Sequence, residues 1–200
     1  LPMGMTAKVG YAPNMTDGQG NSFKNAGPIN PQSNAGNQMT GITLGVAPMD
    51  GLKINADYHD VDGQVTTSVQ EAESGNVGAQ YAIGNFKVGY NKGYYGVGIA
   101  DKNGAVTKYE NTAYGIEFAV NDSLSISYNE EKSEAFTDVA IAAGAASGTK
   151  TSVEAEMEVI QVAYIFGGAT LGVHIADVGN ADYVTAKDEK LTVFTIAMDF

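Results

Sequence analysis

The chain has 200 residues, of which 44% are hydrophobic, and its formal net charge is −12 at pH 7. That length fits one domain, and so acidic a chain lacks the basic patch that binding to phosphates requires, which argues against a nucleic-acid partner. It has no Cys, hence no disulfides or thiolate sites, and no apolar stretch approaches the roughly 18 residues of a spanning helix, so only strands could carry these residues across a membrane.

From residue 5 onward the dominant pattern is an alternation of period two, which is typical of strands with one apolar face. Ten segments show it, and within each segment the apolar residues occupy every second position, its apolar parity: Met5–Tyr11, Thr40–Val46, Leu52–Tyr58, Val77–Ile83, Phe86–Tyr90, Tyr114–Val120, Leu124–Tyr128, Ile160–Phe166, Ala169–Ile175 and Thr192–Phe200. The other parity is polar or small, with Ile165 and Val193 as exceptions. Together with 25 Gly and 11 Tyr, this predicts an all-β chain of about ten strands.

The connections between these segments are alternately short and long. The short ones, 48–51, 84–85, 121–123 and 167–168, contain the Gly, Asn and Asp that favour tight turns. The long ones run over 12–38, 59–76, 92–112, 129–152 and 177–190. Turns at one end and loops at the other are typical of a transmembrane antiparallel up-and-down β-barrel. A soluble sandwich is the alternative, but its solvent face would be dense in charge.

Aromatic residues concentrate near the ends of the predicted strands. Tyrosines adjoin the long loops, and phenylalanines predominate near the short turns, as follows: Tyr11, Tyr58, Tyr114 and Tyr128 at the first end, and Tyr81, Phe86, Phe118, Phe166 and Phe200 at the second. Aromatic girdles at two interfaces are expected of a barrel in lipid.

The alternation loses its phase in the segment Val153–Val159, where Glu occupies the parity that is apolar from Ile160 onward. Either a bulge lies near Val159 and Ile160, or the membrane span ends there and places the glutamates above the bilayer. The preceding segment, 139–147, is nearly all Ala, Ile and Gly. It fits a short helix or a folded loop equally well, so the conformation of residues 133–152 stays open.

The last ten residues, Leu191–Phe200, carry the most specific motif. Apolar residues stand at every second position, at Phe194, Ile196 and Met198, and the segment finishes on Phe200. This pattern resembles the closing strand of Gram-negative outer-membrane barrels, which the outer-membrane assembly machinery reads. With the turns and loops, the whole chain resembles the trimeric diffusion porins of Gram-negative bacteria.

The resemblance implies a barrel of about 16 strands, of which this chain would be the last ten, as a single β-barrel domain over residues 1–200 without its N-terminal strands. It also implies a homotrimer in the outer membrane, in contact with lipid and lipopolysaccharide. The rival is a complete barrel of about ten strands, whose interior would be largely filled by side chains. Such a barrel would act as an adhesin, a surface receptor or a structural anchor.

The hydrophilic parity supplies the predicted lining of a water-filled pore, because lumen residues set the selectivity of a barrel. These residues are Lys8, Lys53, Asn55, Asp57, Lys87, Glu117, Gln161, His174 and Asp199. The predicted function is passive diffusion of small hydrophilic solutes and ions through this channel.

The sequence offers no convincing catalytic or metal site. His59 and His174 lack a partnered nucleophile and fit solvated positions on the wall or rim better than a hydrolase triad. Asp60–Gly63 resembles the start of a calcium loop but lacks the bidentate Glu at the required distance. We therefore expect no enzymatic activity, no metal and no cofactor.

Overall fold

The computed structural model describes residues 4–12, 38–62, 70–98, 106–138 and 150–198. Ten strands form one antiparallel sheet in which each strand pairs with the next along the chain. They are β1 (Thr6–Ala12), β2 (Gln38–Met49), β3 (Leu52–Asp62), β4 (Ala72–Ile83), β5 (Phe86–Gly96), β6 (Val106–Asn121), β7 (Leu124–Asp138), β8 (Lys150–Phe166), β9 (Ala169–Gly179) and β10 (Glu189–Met198). The prediction of about ten up-and-down antiparallel strands is confirmed. In the described part of the chain, β1 and β10 form the two edges of the sheet.

Tight turns join the strands at one end of the sheet, as the short connections predict. Gly84 and Asn85 link β4 to β5, and Gly167 and Gly168 link β8 to β9. The φ angles of Gly84 and Gly167 are 55° and 56°, a region that residues with a Cβ rarely adopt. The glycines therefore allow the chain to reverse in two residues.

The two faces of the sheet follow the two parities of the sequence. Apolar side chains project from one face, here called the convex face, and stay exposed: Val9 is 82% exposed and Phe194 is 76% exposed. The other parity lines a trough, here called the concave face. The described core is a small cluster around Tyr95, Val61 and Ala72 near the end opposite the tight turns.

The strands extend well into the predicted long loops. β7 runs on to Asp138 and β8 begins at Lys150, with Glu134 opposite Glu154, although residues 129–152 were expected to form a loop. The sequence obscures this extension because outward positions become charged there while the hydrogen-bonded ladder continues. The segment 139–147 lies outside the described residues.

The predicted bulge near Val159 and Ile160 is wrong. β8 keeps one register with β7 over its full length and one register with β9 from Glu156 to Phe166. Glu158 therefore shares the convex face with Ile160, which agrees with the alternative that an apolar belt simply ends between them. Register shifts occur instead within β2, at the start of β6 and at the end of β6.

Among the helical segments in the described ranges, none has the length and apolar character needed to cross a membrane.

Candidate functional site

The concave face carries a trough with a volume of about 680 Å³ between β3 and β8. Four of the predicted pore-lining residues, Asn55, Lys87, Glu117 and Gln161, line it together. Its other concave-face residues are three amides, a hydroxyl, a carboxylate, two aliphatic side chains and small residues: Gln80, Asn91, Asn129, Ser127, Glu131, Met157, Val159, Ala113, Gly78, Gly89 and Gly115. The lining therefore mixes polar and apolar groups, and most of its side chains are uncharged.

A pair of opposite charges lies in this trough. Lys87 on β5 stands directly opposite Glu117 on β6, and its Nζ atom lies 2.7 Å from Glu117 Oε2. Both side chains remain nearly half exposed, at 45% and 46%. The row continues across β7, β8 and β9 through Ser127, Gln161 and His174, so a single line of polar groups crosses five strands.

A second polar group lies on the concave face of β3, nearer the loop end. Asn76 Nδ2 donates a hydrogen bond of 3.3 Å to Asp57 Oδ1, and His59 Nε2 lies 3.8 Å from Asp57 Oδ2. Lys53, Asn55 and Asp57 alternate along β3 on this face, which brings both signs of charge onto one strand. Asp57 and His59 thus face the same interior space as the trough.

The other described residues of the predicted wall lie outside the trough. Lys8 on β1 pairs with Thr43, which in turn pairs with Asp57, so Lys8 belongs to the same concave row as Asp57. Lys53 lies opposite Gln80, a trough residue. His174 is two strands from the trough's Ser127, and Asp199 lies outside the described residues.

The side chains of the wall lie along the sheet because glycines leave room for them. A Cβ atom placed on Gly78 would come within 2.9 Å of Asn55 Oδ1 and 3.1 Å of Asn91 Nδ2. The two amides therefore occupy the space above Gly78 instead of projecting into the trough. These concave glycines were visible in the sequence, but their role depends on cross-strand register.

The connection between β9 and β10 folds onto the concave face, a feature that the sequence analysis missed. The Tyr183 hydroxyl lies 2.6 Å from Ser133 Oγ on β7, and its ring centroid lies 5.3 Å from that of Tyr109 on β6. Asp182 and then Glu189 contact Lys187, and these contacts raise the pKa of the Lys187 ammonium above its usual value. No local pattern of the sequence signals a contact between residues 50 positions apart.

On the convex face, tyrosine hydroxyls meet carboxylates where the apolar belt ends. The Tyr128 hydroxyl oxygen lies 3.0 Å from Glu130 Oε2 and 2.8 Å from Glu158 Oε1, so the two carboxylates share its one hydrogen, and Tyr58 donates a hydrogen bond to Glu73 at 3.2 Å. From β3 to β10, the first or second outward residue beyond the belt is charged in every strand: Asp60, Glu73, Lys92, Glu110, Glu130, Glu158, Asp177 and Lys190. The convex face therefore changes from apolar to ionic at one level.

Three of the four predicted assembly-signal residues are described. Phe194, Ile196 and Met198 project from the convex face of β10 and are 76%, 67% and 58% exposed. Phe200 lies outside the described residues. Across the five described ranges of the chain, no group of three or more His, Asp or Glu side chains is arranged to hold a metal ion.

No known protein family matches the sequence, and no curated protein matches it. Among solved structures, the chain is similar to OmpF of Salmonella typhi in its complex with daunomycin, with 16% identity and a TM-score of 0.61. The alignment covers 96% of this chain and 56% of that chain. At this identity the likeness is one of fold, and it supports a porin-like arrangement of antiparallel strands in which this chain spans little more than half of the other protein's length.

Proposed function

We propose that this chain forms the wall of an outer-membrane porin through which small hydrophilic solutes and ions diffuse passively. The observation that carries the proposal is the row of polar groups on the concave face, which crosses five neighbouring strands from Lys87 to His174 and lines the trough from Lys87 to Gln161. Amides and hydroxyls of this kind replace the hydrogen bonds of a hydrated solute without binding it tightly.

The charges of the wall suit weak selection and no chemical step. Lys87 and Glu117 oppose each other and largely cancel at a distance. Ser127 stands opposite Glu117, but among the described residues its hydroxyl makes no side-chain hydrogen bond to a base that would activate it. The proposed activity therefore needs no cofactor and involves no reaction.

The convex face supports the membrane part of the proposal. Its apolar belt would contact the hydrocarbon of the outer membrane of a Gram-negative bacterium, and the level of Tyr58 and Tyr128 would mark the lipid headgroups, where tyrosine is favoured. The charged residues beyond that level would face lipopolysaccharide. The resemblance of β10 to barrel-closing strands supports recognition by the assembly machinery, and the general porin pattern supports a homotrimer.

The competing function is that of a small complete barrel acting as an adhesin, receptor or anchor. In that case the interior would be filled or sealed and the loops would be the working part. The two functions differ in one measurable property, the conductance of a bilayer that contains the purified protein.

The experiment uses the absence of native Cys from the chain. Ser127→Cys on the concave face and Ile126→Cys on the convex face are a matched pair of neighbouring positions. Each variant is inserted into a planar bilayer and treated with a bulky charged thiol reagent. We expect ohmic conductance steps from both, reduced by the reagent only in Ser127→Cys. A silent membrane with folded protein would contradict the porin function and favour the anchor or adhesin.

A further inference from the structure

The connection between β9 and β10, residues 180–188, crosses the concave face of β8. The side chain of Tyr183 reaches Ser133 on β7 and Tyr109 on β6. Neighbouring strands lie about 4.8 Å apart, so these contacts are roughly 10 and 14 Å from β9 along the wall. The short 3₁₀ turn Ala181–Tyr183 packs against β8 on the way. This connection, here called the β9–β10 loop, therefore lies inside the curve of the sheet.

Several hydrogen bonds hold the β9–β10 loop in this position. Asn180 Nδ2 donates to the Glu154 carbonyl of β8 at 2.8 Å, and Asn180 Oδ1 accepts from the Ala186 amide at 2.8 Å. The Ala181 amide donates to the Lys187 carbonyl at 2.7 Å, which closes the loop on itself. The loop is thus tied both to the wall and across its own base.

The backbone of the loop is strained in a way that needs such support. Four residues other than glycine have positive φ angles, between 50° and 62°: Asn180, Asp182, Tyr183 and Ala186. Such conformations are unfavourable for residues with a Cβ and persist where the surrounding contacts determine them. Strain concentrated in a loop that faces the lumen indicates a functional position.

We propose that the β9–β10 loop forms a constriction of the lumen on this part of the wall and that Tyr183 is the residue that fixes how far the loop reaches inward. The inference rests on the proposed diffusion function. Tyr183 joins the loop to the wall at Ser133 and Tyr109, so its side chain sets how far the loop stands from β7.

The loop selects by size more than by charge. Lys187 pairs with both Asp182 and Glu189, so its ammonium partly offsets the carboxylates at the loop. Val184, next to the anchor, is 52% exposed, which gives the constriction an uncharged side chain. A solute at this level therefore meets rings and an aliphatic group, whereas the Lys87 and Glu117 pair acts on charge deeper in the trough.

The first test compares single-channel conductance and the passage of sugars of increasing size. Tyr183→Ala removes the anchor, and replacing residues 180–187 by Asn-Gly removes the loop. That two-residue turn fits because Val178 and Glu189 are already paired, which leaves Gly179 and Asp188 facing each other. We expect larger conductance steps and faster passage of the larger sugars in both variants, with unchanged cation-to-anion selectivity. Thr185→Ala, an exposed position in the same loop that makes none of the contacts described above, should match the wild type.

The second test does not depend on conduction. Ala155→Cys places a thiol on the concave face of β8, in the row of Ser133 that the loop crosses. A small and a bulky maleimide label this variant alone and combined with Tyr183→Ala or with Ser133→Ala, a milder change. When the anchor is removed, the rate of labelling by the bulky maleimide should increase more than the rate of labelling by the small one.

The outcomes separate the two claims. The constriction proposal would be wrong if wild type, Tyr183→Ala and the loop-shortened variant conducted equally and Ala155→Cys were labelled equally with and without the anchor. That result would leave the porin function standing. A silent wild-type bilayer would contradict the porin function, whereas a labelling gain in that case would still support the loop as the cover of the lumen.

Discussion

Lys87 and Glu117 face each other across β5 and β6 with their charged atoms 2.7 Å apart on the concave face. Because both side chains are nearly half exposed, their attraction contributes at most about 1 kcal/mol to stability after solvent screening. Each charge acts on a passing ion through its electric field, and the opposite charge of its partner largely cancels that field.

Lys87→Gln should therefore shift selectivity toward cations, because Glu117 loses the charge that balances it. Glu117→Gln should shift selectivity toward anions for the converse reason. The measurement is the reversal potential across a bilayer that separates two salt concentrations. Neither variant should lower the free energy of unfolding by more than about 1 kcal/mol.

Lys190→Gln is the matched control for this charge pair. Lys190 Nζ also lies 2.7 Å from a carboxylate, Asp177 Oδ1, but on the convex face. The substitution changes the net charge by the same amount and should leave the reversal potential unchanged. An equal shift from Lys190→Gln would mean that overall charge, and not the wall, sets selectivity.

The two faces should differ in their tolerance of a lysine. Ile116→Lys places an ammonium on the apolar belt and should lower the free energy of unfolding by roughly 2 to 4 kcal/mol near the bilayer midplane. Ser125→Lys places the same group on the concave face and should cost little. Urea titration of protein refolded in vesicles measures both, and equal costs would show that the convex face does not contact hydrocarbon.

The apolar belt was readable in the sequence because one parity must be apolar there while the other stays polar. Above the belt both faces are polar, so the alternation disappears although the strands continue, as in the Glu134 and Glu154 pair. The predicted loops were too long for this reason. Tyr183 could not be placed at all, since its conformation depends on Ser133, which lies 50 residues away.

Tyr128→Phe tests the border between the belt and the charged band. The Tyr128 hydroxyl shares its one hydrogen between Glu130 and Glu158, two carboxylates that stand directly opposite each other on β7 and β8. Removing it leaves like charges facing across the strands, which is destabilising. We expect a loss of about 0.5 to 1.5 kcal/mol in the free energy of unfolding, and partial recovery at high salt because salt screens the repulsion.

Tyr90→Phe is the control for the border. Tyr90 has a similar position at the edge of the belt, yet its hydroxyl makes no side-chain hydrogen bond within the described ranges of the chain. Its substitution should change the free energy of unfolding by a few tenths of a kcal/mol at most, without dependence on salt. A salt-dependent loss at Tyr90 as large as that at Tyr128 would argue against the carboxylate contacts as the cause.

Gly78→Ala should destabilise the sheet although alanine is the better strand residue. Its Cβ would lie 2.9 Å from Asn55 Oδ1 and 3.1 Å from Asn91 Nδ2, so both amides would have to move away from the wall. Because the two contacting atoms are the ends of side chains that can turn into the open trough, the cost should stay below the roughly 1 to 3 kcal/mol of overpacking in a closed core. Gly10 on β1 faces the same lumen, but a Cβ atom at that position would have no atom of another described residue within 4 Å, its two chain neighbours aside. Gly10→Ala should therefore be neutral or gain up to about 1 kcal/mol from the reduced backbone freedom of the unfolded chain. Chemical denaturation in vesicles measures both changes, and a similar effect at the two glycines would mean that the amides do not occupy the space above Gly78.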